Sequence, residues 1–268
     1  MELIDCHSHI NLEEFDKDRG AVLQDAKKSG ITAILDSGGT YSECEKVLEL
    51  AEKFKILKPS LGWHPAQVDL KEAQRTADFI RAAADETKIY AIGEIGLDYW
   101  VVKEDSQREK QKEIFKIFID LAKELDLPIV THSRSAGKYV IEILEQEKAE
   151  KVCMHAFDGK FGSAQKGLEL GYYFSIPPSI VRSEQKQKLV KNLPLENLLL
   201  ESDAPVLGPS LSVSEKMRGS FASEANANER NVPANIKIAA EKIAEIKKID
   251  ISEVIRATTK NAKELFKL

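Results

Sequence analysis

Leu3-Ile4-Asp5-Cys6-His7-Ser8-His9-Ile10 reads as a β-strand that opens apolar and closes polar. Side chains alternate along a strand, so His7 and His9, two residues apart, are expected on one face, with Asp5 on that face as well. Cys6 then points the other way and belongs to a core. A buried strand ending in His-x-His sets two imidazoles side by side at its carboxyl end, which is a common start to a metal site.

Working outward, seven further apolar runs look like strands: Ile31–Ser37, Ile56–His64, Ile89–Leu97, Leu127–His132, Lys151–His155, Tyr172–Ile176 and Leu198–Ser202. Helical stretches separate them. Eight strands in 268 residues give about 33 residues per unit, the size of a strand plus a crossover helix. Strands alternating with helices predict a parallel sheet, and this length suits one α/β barrel. The expected fold is therefore α/β, a single domain over residues 1–268. Ile114, Phe115, Phe118, Leu121, Ala122 and Leu125 form an apolar stripe at helical spacing. Ser42-x-x-Glu45 and Ser106-x-x-Glu109 read as capping boxes, Ser252 as an N-cap, Pro233 as a first helical residue, and Gly30 and Gly171 as residues that end helices. The stretch Val206–Val232 lacks periodicity. It follows the eighth strand and is expected to form a lip over the barrel mouth.

Composition narrows the function. The chain is 43% hydrophobic and 31% charged, with a net charge of −5. That balance argues against a broad basic surface gripping many duplex phosphates, though not against a small site where bound cations attract one. No apolar run approaches a transmembrane length, and no basic leader precedes the first strand. Cys6, Cys44 and Cys153 are odd in number and widely spaced, as expected of reduced thiols in a cytoplasmic protein.

The five histidines, His7, His9, His64, His132 and His155, all fall at or just past the end of an expected strand. Glu94 and Asp203 lie at equivalent places on the fourth and eighth. In a (β/α)₈ barrel, that face is where active sites are built. The mixture suits a di-metal hydrolytic site, in which a bridging glutamate offsets cation repulsion and neutral imidazoles complete the sites. An aspartate can bind a metal and also accept a proton from water. Gly93 and Gly96 leave room for a close approach beside Glu94. Trp63, Tyr99 and Trp100 could stack on a base or simply pack beneath a loop.

Taken together, Asp5-x-His7-x-His9, Gly62-x-His64-Pro65, Gly93-Glu94-Ile95-Gly96-Leu97-Asp98-Tyr99, His132-Ser133-Arg134, His155-x-Phe157 and Glu201-Ser202-Asp203-Ala204-Pro205 resemble the TatD family of metal-dependent deoxyribonucleases, within the amidohydrolase superfamily of TIM barrels. The resemblance runs in order along nearly the whole chain, to Asn261 and Phe266, and implies extra C-terminal helices. It implies two divalent metal ions (Zn, Mn or Mg). His7, His9, Glu94 and Asp203 would hold the first; Glu94, His132 and His155 would hold the second. Asp203 and Glu94 would be catalytic, and His64 and Arg134 would contact phosphate. Asp98 and Glu201 would support the ligands, and Arg230-Asn231-x-Pro233 would match the element after the lip. Asp158, Ser135 and Pro177-Pro178 depart from the family pattern at positions that affect substrate preference. The implied activity is 3′–5′ exonucleolytic cleavage of single-stranded or frayed DNA ends, with no membrane partner. The alternatives are an amide or ester hydrolase of the same superfamily, such as an aminoacyl-tRNA deacylase, and a barrel scaffold without catalysis.

Overall fold

The computed structural model describes residues 1–210 and 230–268. Its eight strands are β1 (Leu3–Ser8), β2 (Ile31–Gly38), β3 (Leu57–Leu61), β4 (Ala91–Gly96), β5 (Ile129–His132), β6 (Val152–Met154), β7 (Tyr173–Ile176) and β8 (Leu198–Leu200). Each pairs in parallel with the next, in the order β1 to β8. The seam between β8 and β1 is joined by Asp203 N–H to His7 O at 2.9 Å and His9 N–H to Ala204 O at 2.8 Å. The Asp5 carboxylate reinforces it, accepting from Ser202 N at 2.8 Å and from Ser202 Oγ at 2.6 Å. The result is a (β/α)₈ barrel, with α1 (Arg19–Lys28), α2 (Tyr41–Lys53), α3 (Leu70–Glu86), α4 (Asp105–Glu124), α5 (Gly137–Gln146), α6 (Phe161–Glu169) and α7 (Glu184–Asn192) between strands. Among the described residues, two more helices, α8 (Ile236–Lys247) and α9 (Ile251–Phe266), follow the barrel.

Two apolar clusters hold it. The larger lies between strands and helices and takes the whole α4 stripe, with Ile114, Phe115, Phe118, Leu121 and Ala122 buried and Leu125 half-buried. Each fully buried phenylalanine there contributes about 1.5–3 kcal/mol. The smaller joins Ile4, Cys6, Ala33, Leu35, Ala91, Val130, Cys153 and Leu199. Side chains from six strands meet in this way only inside the barrel. Ala262, Leu265 and Phe266 of α9 join the same cluster beside the first residues of those strands, so α9 plugs the amino-terminal end. Asn261 pins that helix by donating to Leu195 O at 3.0 Å and Leu198 O at 2.9 Å. The opposite end is left for chemistry.

Several local expectations are corrected. The α2 cap is Thr40, whose hydroxyl accepts from Glu43 N, rather than Ser42. Helix α4 starts after Glu104 with no side-chain cap, so Ser106 is inside it. Asp250 caps α9 through Ser252 N, so Ser252 is already helical. Gly30 and Gly171 do end helices, with φ of 92° and 80°. Pro233 opens the 3₁₀ turn Pro233–Asn235 that leads into α8. Most of the expected lip, residues 211–229, lies outside the described residues. Among the described residues, no helix is long and apolar enough to cross a membrane.

Candidate metal centre

The strands carry their polar residues last, so His7, Glu94, His132, His155 and Asp203 converge at the carboxyl end of the barrel. The first strand reaches this arrangement differently from simple alternation. Asp5 pairs with Ile34 and Ser8 with Asp36, so β1 holds one residue more than β2 over this span. This bulge lets Cys6 and His7 both serve the interior, Cys6 in the apolar cluster and His7 above it. Asp5 therefore turns to Ser202 at the seam instead of sharing a face with the histidines. At β4, Gly96 has φ of 142°, and a Cβ there would meet His132 O at 2.1 Å. A Cβ on Gly93 would meet Val130 at 2.7 Å. Only glycines bring β4 and β5 close enough to set Glu94 against His132.

Glu94 stands at the centre and is 2% exposed. Its Oε2 is 3.4 Å from His7 Nε2 and 3.3 Å from His9 Nε2. Its Oε1 is 2.5 Å from His132 Nδ1 and 3.6 Å from His155 Nε2. Each carboxylate oxygen thus faces a different pair of imidazoles. Asp203 Oδ1 lies 3.4 Å from His7 Nε2, 3.5 Å from His9 Nε2 and 3.9 Å from His155 Nε2. Asp203 adopts φ of 52°, a left-handed conformation that aspartate tolerates better than most residues. Asn231 braces this turn by donating to Ser202 O at 2.6 Å and Val206 O at 2.7 Å.

The outer ring nitrogens determine what the inner ones present. His9 Nδ1 donates to Ser37 O at 3.0 Å, and His155 Nδ1 donates to Glu201 Oε2 at 2.8 Å. Both rings therefore turn a bare Nε2 lone pair inward. His7 Nδ1 is held by Ser37 Oγ at 3.1 Å. His132 is reversed: Nε2 donates to Asp98 Oδ2 at 3.0 Å, and Nδ1 is the nitrogen turned toward Glu94. His64 differs from all of these. Its Nδ1 accepts the Ala66 N–H at 3.1 Å, so its inner Nε2 carries the hydrogen and is a donor.

Bare nitrogens facing carboxylate oxygens, with His7 Nε2 and His9 Nε2 only 3.1 Å apart, form a site that requires positive charge. Without a metal, protons must supply it. Burial pulls His7 down, but Glu94 and Asp203 outweigh burial and hold it at about 9. Burial likewise opposes His132, but Glu94 and Asp98 raise it to about 10. Burial would raise Glu94, yet the surrounding imidazoles hold it well below the carboxylate range. His64 goes the other way: burial, opposed by Glu94 but aided by His132, lowers it to about 4, so it stays neutral. Among the described residues, three groupings have ligand atoms close enough to share an ion: His7, His9 and Glu94; His7, His155 and Asp203; and His64, Glu94 and His132. The donor set, nitrogen with carboxylate oxygen, fits a divalent cation of the zinc or manganese type.

Supporting residues tie the site together. Glu201 is fully buried and also accepts from Ala156 N at 3.0 Å and from Ser175 Oγ. Asp98 accepts from Trp100 N and Val101 N, both at 2.9 Å. Ser37 and Gln111 escape motif reading. Gln111 donates to Pro65 O at 2.6 Å and accepts from Asp98 N at 3.2 Å, joining the loops of His64 and Asp98. Its signal was present in the sequence, as a polar residue three and four positions before Ile114 and Phe115 on the buried face of α4. Arg134 is exposed beside the mouth, with its guanidinium 5.2 Å from the Trp100 ring.

Against this geometry, residues 4–267 match the model of the family described as TatD related DNase. The chain belongs to that family. The human protein named deoxyribonuclease TATDN3 is 42% identical over 98% of this chain and 94% of its own. The Bacillus subtilis protein YabD, named an uncharacterized metal-dependent hydrolase, is 34% identical over 99% of both. Among solved structures, the TatD homologue YjjV of Escherichia coli superposes with a TM-score of 0.84 at 27% identity, covering 99% of this chain and 98% of that one. The TatD-family barrel and its C-terminal helices, expected from the sequence, are thus both present.

Proposed function

We propose that this TatD-family chain is a divalent-metal-dependent hydrolase of phosphodiester bonds, most specifically a 3′–5′ exodeoxyribonuclease on single-stranded or frayed DNA ends. One observation carries the reading: the two oxygens of Glu94 face two separate histidine pairs, His7 with His9 and His132 with His155. A bridging carboxylate of this kind suits two cations. His7, His9, Glu94 and Asp203 would hold one, and Glu94, His132 and His155 the other. Bound there, divalent ions supply Lewis-acid charge at phosphorus and make water acidic enough to ionise near neutral pH.

The chain's own residues do the rest. Asp203 meets the histidines through Oδ1, and its second oxygen takes the proton of the attacking water. Neutral His64 donates through Nε2–H to a non-bridging phosphate oxygen. Arg134, planar and permanently charged, holds an adjacent phosphate at the rim. Glu201 and Asp98 fix the rings of His155 and His132. The names of the relatives support DNA as substrate, and the acidic net charge favours a chain end over a long duplex. The family match over residues 4–267 supports one domain across 1–268. Free, buried cysteines suit a reducing compartment, which we take to be the cytoplasm.

The test is to supply Mg, Mn and Zn in turn and follow a linear single strand, labelled at either end, beside its covalently closed circle. Mononucleotides released from the 3′ end of the linear strand alone are expected. Comparable cutting of the circle would overturn the end-directed reading. No cleavage of either, with release of the acyl group from aminoacyl-tRNA, would move the site to ester hydrolysis.

A further inference from the structure

Three aromatic residues follow the ends of β3 and β4, and burial separates them. Trp63 is 6% exposed and donates Nε1–H to Gln67 O at 2.6 Å. Tyr99 is 8% exposed and packs between the Arg108 guanidinium, 4.4 Å from its ring, and Tyr139 at 5.2 Å. Both are committed to the fold. Trp100 is 48% exposed, the most accessible aromatic side chain among the described residues. An indole left in water forgoes the burial its size would otherwise gain.

Its surroundings suit an anionic, aromatic ligand. The Arg134 guanidinium and the Lys103 ammonium lie over the Trp100 ring, 5.2 and 5.1 Å from its centre, so two long cationic side chains, able to swing aside and meet phosphates, rest against an indole that is still half exposed. The indole is also fixed relative to the metal centre. Asp98 Oδ1 accepts the Trp100 N–H at 2.9 Å, while Oδ2 of the same carboxylate holds His132 at 3.0 Å. A stacked base would therefore sit at a set distance from the reacting phosphate.

We propose that Trp100, Arg134 and Lys103 form a nucleobase subsite on the rim, where the indole stacks on the base next to the scissile phosphate and the two cations neutralise the flanking phosphates. This rests on the phosphodiester reading above. Stacking accepts any base, so the subsite would favour a nucleotide over a bare sugar-phosphate without selecting sequence.

The experiment compares wild type, Trp100→Ala and Trp100→Phe on a short single-stranded oligonucleotide and on the same strand with an abasic terminal unit. Trp100→Ala should raise KM for the base-bearing strand by roughly 5- to 150-fold, with a clearly smaller rise on the abasic strand. Trp100→Phe should recover most of the loss. In parallel, thymidine 5′-monophosphate should quench tryptophan fluorescence in wild type but not in Trp100→Phe, where only buried Trp63 reports. Deoxyribose 5-phosphate should not quench either protein. Equal losses on both strands would make Trp100 a prop for the Asp98 loop and overturn the subsite. Quenching that is absent in wild type or persists in Trp100→Phe would overturn it as well. If wild type cuts no DNA while base-dependent quenching remains, the assigned reaction fails and the subsite stands.

Discussion

Glu201 offers a sharp test of how the site is prepared, because it touches none of the reacting atoms. Its two oxygens accept three hydrogen bonds: Oε1 from Ala156 N–H, and Oε2 from His155 Nδ1–H and Ser175 Oγ. Glu201→Gln keeps the shape but replaces one acceptor with a donor. If the amide nitrogen takes the Oε2 position, it confronts His155 Nδ1–H and forces the ring to protonate Nε2, which closes that lone pair. If it takes the Oε1 position, it confronts the Ala156 N–H, and a buried donor is left unpaired at about 1–3 kcal/mol. The second arrangement preserves His155 and should prevail. The melting temperature of the metal-free protein should then fall by about 2–6 °C, at roughly 2 °C per kcal/mol for a chain of this size. Metal affinity should fall by about 10-fold, the low end of the usual effect of altering such a partner, because His155 keeps its acceptor and loses only the carboxylate charge behind it. Calorimetric titration with Zn or Mn, beside thermal unfolding with and without metal, reads both. Wild-type affinity together with an unchanged melting temperature would refute the claim that Glu201 sets the His155 tautomer.

Further outcomes follow from the same geometry. Glu94→Gln should lose at least one metal equivalent and nearly all hydrolysis while the far-UV circular dichroism is retained; full metal content with wild-type turnover would rule out the bridge. Arg134→Ala should raise KM on an oligonucleotide several-fold more than on a small phosphodiester, which has fewer remote contacts to lose, and equal losses would place Arg134 in the chemistry or the fold. Burial pushes the Cys44 thiol up to about 12, so at pH 8 only about one molecule in 10⁴ is ionised there. With Cys6 and Cys153 also buried, a thiol-disulfide reagent should label fewer than one cysteine in the native protein and three after denaturation.

The barrel could be read from the chain because each strand is an apolar run bounded by turn residues and separated by amphipathic helices, and tertiary packing agrees with both signals. The histidines could be read because strand ends in a parallel barrel share one face. The bulge in β1 could not. Whether His7 or Asp5 turns inward depends on its pairing with β2, and nothing local in Asp5-Cys6-His7 records that. The misplaced caps have a similar cause: Thr40 and Asp250 precede the serines that match the cap pattern, and loop geometry chose between them. The tautomers of His9 and His155 depend on Ser37 and Glu201, 28 and 46 residues away. Trp100, by contrast, shares its local pattern with Trp63 and Tyr99, and only burial separates them.

The seam between β1 and β8 also bears on synthesis. His7 and Asp203 meet there although far apart in the chain, and α9, which packs against the floor, follows both in sequence. A ribosome that has released the first six strands has released His7, His9, Glu94, His132 and His155, but neither Asp203 nor the Ser202 that anchors Asp5. Such a nascent chain carries five of the proposed metal-binding side chains on an open sheet with two exposed edges. It can bind ions loosely, and it can pair with a second nascent chain at either edge. The late arrival of β8 therefore makes the interval before closure the period in which this protein is most exposed to wrong metals and wrong partners.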